Sequence, residues 1–220
     1  MESQENVTKN QREQLRSYVS RRVSAIQSDY LSEGRKPTGA RKLAVLRRAV
    51  GKDPGVIPET WSLEFDEMPD CLMGRGQGPS AGELAVHGAL TLYAVHQQSQ
   101  TEKMHVSGKE HSLGAAVRSL VEKAPAKYGS LESGELPRRF AAMVTAQSMP
   151  ETIHYVRQIV QQLRSASIPL DYGLLAQQLY DLQNPYRADA VRLSWGRDYA
   201  RSRQPASDDS TAPIADGYLN

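Results

Sequence analysis

The chain has 220 residues, 39% of them hydrophobic, and a formal net charge of +2 from 27 basic and 25 acidic side chains. No apolar run approaches the roughly 20 residues of a spanning helix, and the polar stretch Met1 to Asn10 lacks the apolar centre of a secretion signal. The single cysteine, Cys71, excludes an intrachain disulfide and a thiolate zinc cluster and fits a reduced, cytoplasmic setting.

Leu15, Tyr18, Val19, Val23, Ile26 and Tyr30 recur at three- and four-residue steps, which predicts a helix from Thr8 to Leu31, ended by Gly34 and Pro37. A second helix is expected from Thr38 to Val50, stopping at Gly51 and Pro54. Residues 51–82 read as an irregular stretch. Trp61, Leu63 and Phe65 are expected to dock on the bundle while the acids around them stay wet, and the Gly-rich part from Gly74 to Gly82 reads as mobile.

Ser80 and Glu83 have capping-box spacing and open a helix to Gln97 that is apolar on most sides, the mark of a buried helix. Further helices are expected over Leu113 to Lys123 and from Pro137 to Gln147. Another starts at Ser148, with Ile153, Val156, Val160 and Leu163 on one face. Asp171 can cap a helix to Leu182, and the last helix carries Val191, Trp195 and Tyr199. No alternating run argues a strand. The fold class is therefore all-α: a helical bundle, with two packed sub-bundles divided near residue 130 as the alternative arrangement. The helical domain spans 8–200 and a disordered tail 203–220.

The small net charge hides an asymmetry: residues 1–52 carry +7 and residues 53–83 carry −6. On a wheel of about 100° per residue, Arg41, Arg48 and Lys52 share one side of the second helix, opposite Leu43, Leu46 and Val50, with Lys42 and Arg47 flanking. The segment from Arg35 to Lys52 contains no acid, and such a stripe can follow a phosphate backbone, releasing counterions as it binds. The plain alternative is a solvated outer face. Arg138 and Arg139 sit at a helix start, where two guanidiniums and free backbone N–H groups make a phosphate pocket; the alternative is simple exposure beside Glu135. Lys103, Lys109 and Arg118 form a weaker third cluster.

Catalytic patterns fail on context. Gly78-Pro79-Ser80-Ala81-Gly82 matches a nucleophile elbow, but no hydrophobic strand precedes it and Ser80 is already a helix cap. Gly51-Lys52 and Gly108-Lys109 are followed by Asp53 and Glu110, not by the hydroxyl residue of a P-loop. His87 and His96 lie on opposite sides of one helix and cannot chelate one metal, and His105 and His111 have no carboxylate pair at ligand spacing. The residues point to a protein that binds rather than reacts, with neither cofactor nor metal.

Six segments then resemble a known family in order. They are Leu46-Arg47-Arg48-Ala49 with Gly51, Pro54 and Trp61; Leu92-Tyr93-Ala94-Val95-His96-Gln97; and Met104-His105 and Gly108 with Leu113-Gly114 and Ala116-Val117-Arg118. Arg138-Arg139-Phe140, Leu170-Asp171-Tyr172-Gly173-Leu174-Leu175-Ala176 and Trp195-Gly196-Arg197-Asp198-Tyr199 complete the set. Over roughly residues 12–200 the chain is similar to the CasB family, the small subunit of the type I-E CRISPR Cascade complex. The family's last motif usually ends in a second aromatic, where Ala200 stands here, and the acidic Gly-rich stretch 64–82 is individual.

The resemblance implies an all-helical, non-catalytic, cytoplasmic subunit present twice in its complex. It would lie along the CasC filament between CasA and CasE, and hold nucleic acid when crRNA opens target DNA and frees a displaced strand. On that view Arg41, Arg47, Arg48 and Lys52 hold one stretch of backbone and Arg118, Arg138 and Arg139 another. A structural spacer whose basic faces dock acidic partner proteins is the alternative.

Overall fold

The computed structural model describes residues 2–129 and 133–201; the tail expected over 203–220 lies outside them. Ten α-helices are present among the described residues: α1 (Glu2–Leu31), α2 (Lys36–Ala49), α3 (Trp61–Glu64), α4 (Ala81–Gln97), α5 (Leu113–Lys123), α6 (Pro125–Tyr128), α7 (Glu135–Val144), α8 (Met149–Ser165), α9 (Tyr172–Leu182) and α10 (Pro185–Ala200). No strand occurs among them; one isolated parallel bridge joins His105 to Leu170.

The centre is α4. Every residue from Ala85 to Gln97 is buried, so the apolar surround read from its sequence is a helix enclosed by neighbours, here α1, α2, α8 and α9. Its start is fixed by the expected box. Ser80 Oγ accepts from Glu83 N at 3.0 Å, and Glu83 Oε2 accepts from Ser80 N at 2.7 Å. Glu83 Oε1 also accepts from Gly74 N at 2.9 Å, and Leu72 is buried. The stretch expected to be mobile is thus tied down at both ends, because one carboxylate can serve a helix cap and a loop amide together.

Small residues set the helix spacing. A side chain at Gly39 would meet Tyr30 N at 2.3 Å, so α2 crosses α1 backbone to backbone. At Gly173 it would meet Ser20 Oγ at 2.1 Å, which brings α9 equally close to α1. The outer helices α5, α7 and α10 pack around Phe140, Trp195 and Val117. Buried side chains from Leu15 of α1 to Trp195 of α10 form one continuous cluster, so helices on both sides of residue 130 share one core.

Boundaries shift by a few residues. The first helix starts at Glu2, not Thr8, and α7 covers Glu135–Val144 rather than running to Gln147. The four-residue α6 was too short to leave a periodic signal. Two polar devices are buried. Gln27 exchanges hydrogen bonds with the His105 backbone, accepting at 2.9 Å and donating at 3.1 Å. His96 Nδ1 lies 3.0 Å from the Tyr172 hydroxyl, and burial pushes this imidazole down to about 3.

Candidate nucleic-acid interface

The second helix behaves largely as its wheel requires. Gly39, Leu43, Leu46 and Ala49 are buried, Arg41 and Arg48 are exposed on the opposite side, and Arg47 is partly exposed between them. Arg41 and Arg48 are two turns apart, about 10 Å along the axis. Lys52 departs from the expectation. The helix ends at Ala49, Val50 leaves helical geometry, and Gly51 takes φ +78°, so Lys52 projects from a turn and not from the stripe. Its amide donates to Ala49 O at 3.0 Å, which keeps it exposed just past the helix end.

The absence of acids from the segment did not mean absence of counter-charge. Asp29 of α1 takes Lys42 at 2.8 Å and Arg35 at 3.4 Å. Arg48 lies 3.4 Å from Glu59, with both side chains more than half exposed, a wet pair contributing less than about 1 kcal/mol. Folding supplied these acids from outside the local sequence, so a local charge count could not show them. Among the described residues no carboxylate pairs with Arg41, Arg47 or Lys52.

The other clusters are more strongly altered. Arg118 donates to Glu122 at 2.6 Å and to the Tyr199 carbonyl at 3.2 Å, and it also bonds the Arg201 carbonyl. With 15% of its side chain exposed, it fastens the end of α10 to α5. Lys109, Arg118 and Arg201 do line one concavity of about 330 Å³, but Glu110, Glu122 and Asp198 line it too, so it holds three charges of each sign. Arg139 is paired with Glu135 one turn earlier. The counter-charge reading of Glu135 therefore holds for Arg139, while Arg138 is exposed and unpaired among the described residues. Arg139 lines a separate hollow with Lys127 and Tyr128, apart from Arg118. Lys103 is exposed beside Ser24 and Ser28 of α1 and Ser32 just after it, in a groove of about 530 Å³. The structure thus leaves Arg41, Arg47 and Arg48 on α2, sets Lys52 in the turn just past it, and divides the remaining candidates among three places.

Three of the four arginines of α1 are taken up by partners within the molecule, while Arg21 is exposed and bonds only Ser17 of its own helix. Arg12 and Arg187 both contact Asp181, Arg16 contacts Asp171, and Arg22 donates to the carbonyls of Ser62 and Asp66. Much of the +7 of the first quarter is therefore structural.

Two further expectations change in the segment after α2. Trp61 does not dock on the bundle: the residue is 51% exposed, with Nε1 donating to Gly55 O at 2.8 Å. That bond satisfies the ring nitrogen inside its own turn while about half of the residue stays in solvent. Glu64, expected to stay wet, is fully buried, and its Oε1 lies 2.9 Å from His87 Nδ1. His87 Nε2 faces Ala49 O at 3.2 Å, so one imidazole ties α2, α3 and α4 together. Only Leu63 and Phe65 pack on the core as expected. Sequence spacing offered no signal for the exposed Trp61, because a lone aromatic among acids reads as a docking residue.

Ser80 has no nucleophile geometry. Its hydroxyl caps α4 and donates to the Leu72 carbonyl. Among the described residues no three His, Cys, Asp or Glu side chains converge as metal ligands, and no helix is long and apolar enough to cross a membrane.

Comparison with known proteins completes the description. The family model for CRISPR-associated protein Cse2 matches residues 42–199. Among solved structures, CasB from Thermobifida fusca is 35% identical, with a TM-score of 0.68 over 84% of this chain and 97% of that one. A Cse2-family CRISPR-associated protein from Thermus thermophilus is 20% identical, with a TM-score of 0.59 over 84% and 96%. M. ruber CasB is 18% identical, with a TM-score of 0.55 over 81% and 91%. The last two likenesses concern the fold alone. No curated protein matches the chain in sequence. The family match begins inside α2, although α1 contributes Leu15, Tyr18 and Val19 to the same core.

Proposed function

This chain belongs to the Cse2/CasB family of CRISPR-associated proteins, and from that premise we propose that it is a non-catalytic, cytoplasmic subunit of a type I-E Cascade complex that grips nucleic-acid backbone. Its partners are the CasA, CasC and CasE subunits, a second copy of itself, crRNA, and target DNA with its displaced strand. In an RNA-guided complex base pairing reads the sequence, so a protein subunit need only hold phosphates. Exchange of a DNA duplex for an RNA–DNA duplex is nearly balanced, and a few such contacts tip it.

The observation that carries this reading is the exposure of Arg41 and Arg48 on one side of α2, with Arg47 partly exposed and Lys52 exposed just past the helix end. Three of the four have no carboxylate partner among the described residues, and the fourth has only the wet pair with Glu59. Arg138 and the Lys103 groove supply further phosphate contacts. Arg118 and Arg139 serve mainly as structural pairs and contribute less than the motif alone implied.

The test is charge reversal at Arg41 and Arg47 within the assembled complex, read as target-DNA binding across a salt titration. Weakened binding with normal assembly and folding is expected; unchanged binding and salt dependence refutes the proposal. The structural-spacer reading would have the same open cations dock an acidic partner protein, since Arg118 and Arg139 are already neutralised within the chain. It predicts that the Arg41 and Arg47 reversals block assembly before DNA is added, which native mass spectrometry of the complex reads directly.

A further inference from the structure

We infer that Trp61 is a stacking platform for an unpaired nucleobase, and that the α2 face therefore holds single-stranded rather than duplex nucleic acid. The inference rests on the backbone-gripping role proposed for that face and specifies its ligand.

The chain has two tryptophans with opposite fates. Trp195 is fully buried, with Nε1 donating to Gln178 Oε1 at 2.8 Å. Trp61 is 51% exposed, beside Val56 at 60%. Leaving an indole in water forfeits a large burial gain, roughly 2 kcal/mol, so the arrangement needs a reason.

The exposed ring is also held still. Its Nε1 bond to Gly55 O fixes one edge. Gly55 itself has φ +79°, and its Cα turns towards the Phe65 ring and the indole nitrogen, each 3.8 Å from an added side chain. Beneath the turn Thr60 is buried, with its hydroxyl on Ile57 O at 2.9 Å. Glu64, three residues on, is locked to His87. A rigid exposed ring loses little conformational entropy on binding, which suits a recognition surface.

Position selects the ligand. The Arg48–Glu59 contact places the turn carrying Glu59 and Trp61 against the basic side of α2. Lys52 emerges from the turn that leads into Gly55. Residues 41–60 carry five basic side chains against two acids, Asp53 and Glu59, with Lys42 of the five paired to Asp29. A basic track beside an aromatic face is the arrangement that binds single strands: cations follow the backbone while a base lies on the ring, with little sequence preference. In a duplex the bases are stacked on one another and offer no face to an outside ring.

The two tryptophans make the test direct. Single-stranded oligothymidylate and a duplex of equal length are titrated into the full chain, following tryptophan emission together with anisotropy of the labelled nucleic acid. Emission should quench with the single strand, remain unchanged with the duplex, and lose the response in Trp61→Phe. Trp61→Ala should weaken single-strand binding roughly tenfold, Trp61→Phe much less, and neither should change duplex binding. Circular dichroism confirms that both variants fold. Binding without an emission change, or Trp61→Ala behaving as wild type, overturns the stacking role and leaves the backbone grip standing. No binding of either oligonucleotide overturns both readings. An emission change only on adding partner subunits assigns the ring to a protein contact and overturns the inference.

Discussion

Arg16 of α1 and Asp171, the cap of α9, lie 155 residues apart in sequence and share a 2.8 Å salt bridge. The Asp171 side chain is fully buried. Oδ1 accepts from Leu174 N at 2.9 Å, and Oδ2 accepts from Gly108 N at 3.1 Å as well as from Arg16. One carboxylate therefore starts a helix, ties a loop and anchors the first helix. Asp171→Ala removes all three functions and should cost about 3 kcal/mol, more than a cap alone. Asp171→Asn keeps the cap and loses the charge, and should fall between the two. Urea unfolding of both variants checks the order.

Gly114 and Gly196 lie on the packed pair α5 and α10, and alanine should act on them with opposite signs. A Cβ at Gly114 would meet the Trp195 carbonyl oxygen at 2.3 Å, whereas one at Gly196 finds nothing within 4 Å. Gly114→Ala must separate the helices and should destabilise by about 1–3 kcal/mol. Gly196→Ala only stiffens an exposed helix interior and should stabilise by about 0.5–1 kcal/mol. Thermal melts of the two variants give the comparison.

Acid should unfold the protein partly through His96. Burial holds this histidine near 3, below its ordinary value of 6.5, so the unfolded chain binds the proton first. Its contribution is complete above about pH 6.5 and is lost as pH falls towards 3, at up to about 1.4 kcal/mol per pH unit. His105 is shifted in the same direction, chiefly by burial, and steepens the same limb. Stability measured by denaturant between pH 7 and pH 4 should decline in wild type and less steeply in His96→Asn.

Salt dependence separates the basic residues. Replacing Arg41 or Arg47 by alanine should lower the slope of log K against log salt by about 0.7–0.9 for each phosphate that is no longer neutralised. Arg118→Ala should leave the slope nearly unchanged and instead loosen the α5–α10 junction, because its N–H groups already serve Glu122 and two backbone carbonyls. Binding isotherms of the assembled complex at several salt concentrations, with melting temperatures, distinguish the two kinds of arginine.

Whatever depends on neighbours along the chain was legible in the residues themselves. Apolar spacing placed the long helices; Ser80, Ser148 and Asp171 announced their own starts; and α4 declared its burial by being apolar on most sides. Arg41 and Arg48 were correctly set opposite Leu43 and Leu46, because helix geometry repeats within one segment. Three-dimensional packing settled which charges remain open. Asp29, Glu59 and Asp181 reach their cations from other elements, and Arg118 is consumed by the far end of the chain. It also turned Trp61 outward and drew Glu64 inward to His87. The difference is one of range: hydrogen-bonded turns and caps act over three or four residues, whereas neutralisation and burial depend on whatever the folded chain brings within a few ångströms.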